Sequence, residues 1–131
     1  MAEVTKEVKI VLIIDVIASL IFTFLYLVIP EIYASLVDPL VFDPYYWRAF
    51  GGTLLALAIM ALVALKRAEG EQVKFMIEFA ILWCIIILCL NIWELIVLPL
   101  SPTYTQTTWF DSILLIVLII LNAYFYNRDL K

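Results

Sequence analysis

Apolar positions along this chain gather into four continuous runs, roughly Lys9 to Ile29, Trp47 to Leu65, Phe75 to Leu98 and Phe110 to Tyr126. At about 1.5 Å of rise per residue, each reaches across a hydrocarbon core of about 30 Å, the fourth only just. A membrane strand needs only about 10 residues and alternates apolar with polar positions. Stretches such as Ile113 to Leu121 are instead apolar throughout, so the runs are helices. The pattern predicts an all-α integral membrane four-helix bundle, one transmembrane domain over residues 1–131. Composition agrees: 66% of residues are hydrophobic and 15% charged, and the mean hydropathy is +1.11, far from the balance of a water-soluble domain.

Orientation follows from the cations near the span ends. Lys6 and Lys9 precede the first run, Lys66, Arg67 and Lys74 surround the second connection, and Arg128 and Lys131 follow the fourth run. Only Arg48 falls on the opposite side. Both termini and the Ala68 to Val73 connection are therefore expected on the cytoplasmic side of the plasma membrane. The net charge of −4 comes with no basic patch beyond this asymmetry, so the pattern argues for a lipid-bilayer partner and no nucleic-acid role. The first run is expected to be retained. Its flank mixes Glu3 and Glu7 with Lys6 and Lys9, and its apolar stretch outruns the roughly 7–15 residues of a cleavable signal.

Several chemistries are unsupported. The chain has no histidine, which removes His-ligated haem and His-rich zinc sites; any metal site would have to be built from carboxylates, and none is predicted. Cys84 and Cys89 lie i, i+5 on the third run and point in different directions, so they read as packing residues rather than a redox pair. No acylation or prenylation signal is present.

The first outer connection, Pro30 to Tyr46, carries three prolines, Glu31, Asp38 and Asp43, together with Ile32, Tyr33, Leu36, Val37, Leu40, Val41 and Phe42. Such apolar content predicts a short amphipathic or re-entrant cap. The second outer connection, Pro99 to Trp109, is uncharged and rich in Ser and Thr. Tyr45, Tyr46, Trp47, Trp93, Tyr104 and Trp109 are expected to form an outer aromatic belt. In the second run, Gly51, Gly52 and Ala56 supply small residues, with Gly52 and Ala56 one small-xxx-small step that predicts a close helix contact inside the bundle or between subunits.

Polar positions inside the runs carry the functional interest, because a carboxylate in hydrocarbon is costly unless paired, wet or protonated. Arg48, Asn91, Glu94 and Asp111 fall at one depth on three helices, which predicts either an Arg–carboxylate clamp or a polar ligand pocket. Asp15, Ser19, Thr23 and Tyr26 share a stripe of the first run, and Asn122 lies where it can approach Asp15, extending a proton or polar track. Glu78 is expected beside Lys74 near the inner surface. It lies roughly 160° around the helix from Glu94, so the two acids cannot share a groove.

The layout of a first span ending Ile29-Pro30-Glu31, an irregular outer loop, and an Arg48-Ala49-Phe50-Gly51-Gly52 start running into an Ala/Leu helix resembles the DoxX-like group of small membrane proteins over residues 20 to 66. The resemblance implies a compact four-helix bundle, in some relatives associated with quinone-linked sulfur oxidation or thiol stress, and a packing or pocket role for Arg48 and Gly52. The chain itself supplies no redox motif. Three functional classes remain. The favoured one is a noncatalytic or accessory protein that binds a small amphipathic ligand, lipid or quinone, near Arg48 and Glu94, alone, as a homo-oligomer or with a membrane partner subunit. The second is proton-coupled small-molecule transport through Asp15. The third is intramembrane acid/base catalysis by paired carboxylates, for which the expected His is missing.

Overall fold

The computed structural model describes residues 4–130; Glu3, named above in the flank of the first run, and Lys131, used for orientation, lie outside the described residues. Five α-helices follow one another: α1 (Lys6–Thr23), α2 (Pro30–Val37), α3 (Pro44–Arg67), α4 (Gly70–Val97) and α5 (Pro102–Phe125). A π-helical turn, Phe24–Val28, extends α1, and a second, Tyr126–Leu130, extends α5. Four of these stretches are long and apolar enough to cross a membrane: Lys6–Val28, Pro44–Arg67, Gly70–Val97 and Pro102–Leu130.

Local chemistry sets the ends. Thr5, Asp43 and Ser101 are N-caps whose side chains accept from the amides of Val8, Tyr45 and Tyr104, which supplies acceptors for donors that the first helical turn leaves free. Pro44 and Pro102 occupy the first helical positions, where a missing N–H costs nothing. The expected loop from Pro99 to Trp109 is therefore mostly helix. Its hydroxyls do not break the helix, because Thr107, Thr108 and Ser112 each donate to the carbonyl four residues back. At the end of α1, Pro30 cannot donate to a continuing helical ladder, and the Ile29 amide reaches back to the Phe24 carbonyl at 3.2 Å in the wider π register. The chain then turns into α2, the predicted cap, which packs against the π turn, α3 and α5.

The core is concentrated at one end of the bundle. Val4, Val8, Val11, Leu12 and Val16 meet Ala58, Ala61, Ala64, Val73, Ile77 and Leu130, so the end that carries Val4, Leu130 and the α3–α4 connection is densely packed. Alanines on α3 let α1 approach closely, which is how helices gain contact when their outer faces are as apolar as their inner ones. A smaller cluster of Cys84, Leu115 and Leu118 joins α4 to α5 midway. Elsewhere large apolar side chains face outward, Ile96 being 78% and Ile120 63% exposed, an arrangement expected of a lipid-facing surface and not of a water-soluble one.

Of the small residues expected to pack on α3, Gly51 makes the close contact within the bundle. A Cβ on Gly51 would stand 2.7 Å from the Leu27 backbone nitrogen, whereas one on Gly52 would meet nothing within 4 Å. Ala56 is exposed, and Gly51, Leu54, Ala58, Ala61 and Ala64 form the buried face. The Gly52–Ala56 step therefore faces outward, since one residue along a helix turns the face by about 100°.

Candidate functional site

Beyond the packed end, α1, α3, α4 and α5 separate around a partly open cavity of about 370 Å³, within the range of small-molecule sites. From α1 it receives Asp15, Ser19, Phe22 and, through the π turn, Tyr26; α3 supplies Phe50 and Leu54. Phe79, Trp83, Asn91 and Glu94 come from α4, and Tyr104 and Asp111 from α5. The walls are thus mostly aromatic and aliphatic, with three carboxyl groups and no Lys or Arg among the lining residues.

The polar groups form two levels. At the deeper one the Asn122 amide nitrogen donates to Asp15 Oδ1 at 2.9 Å and to the Leu118 carbonyl at 2.8 Å. Asn122 is only 1% exposed. Asp15 Oδ2 and Asn122 Oδ1 are both buried without a hydrogen-bond partner, an unusual condition for polar atoms removed from water. The other level lies about 16 Å further along α5, the rise from Asn122 to Asp111. There Glu94 Oε1 accepts from the Tyr104 hydroxyl at 3.3 Å. Tyr33 on α2 stands at the edge of this level. Burial, reinforced by the negative charge of Asp111, pushes its phenol up to about 12. Tyr26 joins the two levels to the cap through ring contacts with Phe22, Tyr33, Trp47 and Phe50 at centroid distances of 5.0–6.4 Å, and Phe50 stacks on Trp83 at 6.1 Å.

The structure thus brings Asp15, Ser19, Asn91, Glu94 and Asp111 to one cavity, with Asn122 behind Asp15. Thr23 is buried and donates to the Ser19 carbonyl at 2.7 Å, outside the cavity wall. Arg48 does not join the group. Its guanidinium faces Glu31 on α2 through two contacts, Nη1 to Oε1 at 2.9 Å and Nη2 to Oε2 at 3.0 Å, and the guanidinium beside it holds the Glu31 carboxyl below its ordinary value. The proposed clamp is corrected accordingly, because the turn at Pro30 places Glu31 closer to Arg48 than any intramembrane acid. Arg48 thus contacts the cap, and Gly51 makes the close packing contact within the bundle. Glu78 also has a different partner: it accepts from the Tyr126 hydroxyl at 2.6 Å, with the Lys74 ammonium 5.8 Å from the centre of the same ring. Trp83, Phe50 and Tyr104 were not expected as lining residues. Trp83 and Phe50 sit in apolar runs where every position looks alike, and Tyr104 reads as interfacial until its segment is seen to be helical.

Fold and cavity together define an all-helical protein with the marks of a membrane protein, four long apolar helices around a chamber lined by aromatic rings and carboxyl groups. The chain belongs to the family described as Domain of unknown function (DUF8292), whose model matches residues 1–127. No curated protein and no solved structure matches it.

Proposed function

We propose that the protein is inserted in the plasma membrane with both termini cytoplasmic and binds a small amphipathic molecule, of the lipid or quinone class or similar to it, in the chamber between α1, α3, α4 and α5. The observation that carries this reading is the chamber itself: about 370 Å³ of space with apolar walls and a few convergent polar groups, which a bundle held only by close packing would fill. Ala80 lines the chamber on α4, so Ala80→Phe fills space without altering charge. The test is displacement of a fluorescent amphiphile from purified protein in nanodiscs. Wild-type protein shows saturable binding above that of empty discs, and Ala80→Phe weakens it by about tenfold. Equal binding by both proteins, or none by either, removes the proposal.

A second reading, proton-coupled transport, is favoured by one observation: Asp15 lies in the chamber wall with Oδ2 unpartnered. It requires substrate flux in proteoliposomes that follows a pH gradient and disappears in Asp15→Asn. Wild-type flux equal to that of empty vesicles rejects it.

A further inference from the structure

We infer that the ligand is a lipophilic cation, a protonated amine on an aromatic or alkyl body, with Asp15 as its counter-ion. The inference rests on the amphiphile-binding reading and adds the charge of the ligand and the place of its head group.

Three observations converge on it. The chamber holds three carboxyl groups, Asp15, Glu94 and Asp111, and no cationic side chain lines it. Arg48, which could have supplied positive charge at the outer level, is engaged with Glu31 outside. An anionic amphiphile would meet carboxyl groups and the negative faces of rings, with only neutral donors such as Ser19 and Asn91 to offset them, whereas a cation is attracted by carboxylates and ring faces alike.

The head group is placed by unmet hydrogen bonding. Asn122 is 1% exposed and its Oδ1 has no donor; Asp15, which it holds, likewise lacks a donor at Oδ2. Two buried oxygens without donors call for one, which either a proton on Asp15 or an N–H group of a ligand supplies. An alkylammonium carries three N–H groups and one positive charge, so it supplies Asp15 with both a donor and charge compensation. Phe22, Phe79 and Trp83, lining the same chamber, offer ring surface for the body of the ligand. Glu94 and Asp111, at the other level, draw cations toward the chamber without being its deepest contact.

Equilibrium dialysis against wild-type nanodiscs, corrected by empty discs, distinguishes the possibilities with three probes that share one body: phenylbutylamine, phenylbutanol and phenylbutyrate at neutral pH. The amine is expected to bind at least about tenfold more tightly than the alcohol and the carboxylate least. Asp15→Asn brings the amine to the level of the alcohol, and continued retention of the alcohol by this variant reports an intact chamber. Equal binding of amine and alcohol to wild-type protein overturns the inference and leaves amphiphile binding standing; so does tighter binding of the carboxylate. Loss of the amine preference in Glu94→Gln or Asp111→Asn but not in Asp15→Asn overturns the assignment of the counter-ion. Saturable binding of none of the three to wild-type protein overturns the inference together with the amphiphile reading. The wild-type comparison decides the charge question even where a variant does not fold.

Discussion

Gly51 and Gly52 are adjacent, identical and helical, yet alanine is expected to act in opposite directions at the two. At Gly51 the new methyl would stand 2.7 Å from the Leu27 backbone nitrogen and 2.9 Å from Leu27 Cβ, well inside the about 3.5–4 Å at which carbon contacts are favourable. The obstacle is backbone in the π turn, so a side-chain rotation cannot relieve it; α3 or the π turn must move. Overpacking of this kind costs about 1–3 kcal/mol, and alanine returns about 1 kcal/mol of helix propensity, which leaves a net loss of up to about 2 kcal/mol. At Gly52 a methyl meets nothing within 4 Å, so only the propensity remains, a gain of about 0.5–1 kcal/mol. Equilibrium unfolding in detergent micelles, followed by tryptophan fluorescence and circular dichroism, measures both variants against wild type. If Gly51→Ala proves as stable as Gly52→Ala, the approach of α3 to the π turn is wrong.

Three further outcomes follow from individual contacts. The Arg48 guanidinium holds Glu31 below its ordinary value, so the pair's contribution is complete above the usual glutamate value of about 4.3 and fades as pH falls through the lower folded value; the stability gap between wild type and Glu31→Gln should close in acid, and a gap that persists unchanged to about pH 2 contradicts this. Asn122→Ala removes donors to Asp15 and to the Leu118 carbonyl and should destabilise by about 2–3 kcal/mol. In an Asp15→Ala background it should cost about 1–2 kcal/mol less, whereas strict additivity in the double-mutant cycle would show that the two side chains do not interact. Ser101 caps α5 and also donates to the Asp38 carbonyl at 2.8 Å, so Ser101→Ala should cost about 1–2 kcal/mol. Ser101→Asp, which keeps the acceptor and loses the donor, should recover part of that loss in the same unfolding assay.

The four apolar runs reveal the long helices because hydrophobic continuity over about 20 residues has one physical reading in lipid. Helical spacing also places Asp15 toward Asn122, since both are polar positions at similar depth on helices that must bury them. Registers finer than a turn are less legible. Gly51 and Gly52 differ by one residue, about 100° of rotation, and both lie in a run where composition alone does not choose a face. The partner of Arg48 depends on the direction in which the chain leaves α1, and that direction is set by the π turn before Pro30 and by the left-handed Asp38 at the end of α2. Pro99 to Trp109 resembles a loop because it is rich in Ser, Thr and Pro. The same residues cap a helix and bond back to its carbonyls once Ser101 precedes Pro102.

The distribution of charge separates what stabilises this bundle from what its chamber is suited to hold. Arg48 is spent on Glu31 at an exposed site, where an ion pair contributes little. Inside, Asp15 and Glu94 receive only neutral donors, Asn122 and Tyr104. A neutral donor satisfies a lone pair and brings no compensating charge. Asparagine or glutamine at the same positions would keep most of the shape without placing a carboxyl group among aromatic walls, where such groups are expensive. The dense Val/Ala cluster toward the other end is apolar and includes none of the chamber acids. Apolar packing alone therefore leaves the chamber acids unexplained, and the sign of the proposed occupant is what the comparison of amine, alcohol and carboxylate decides.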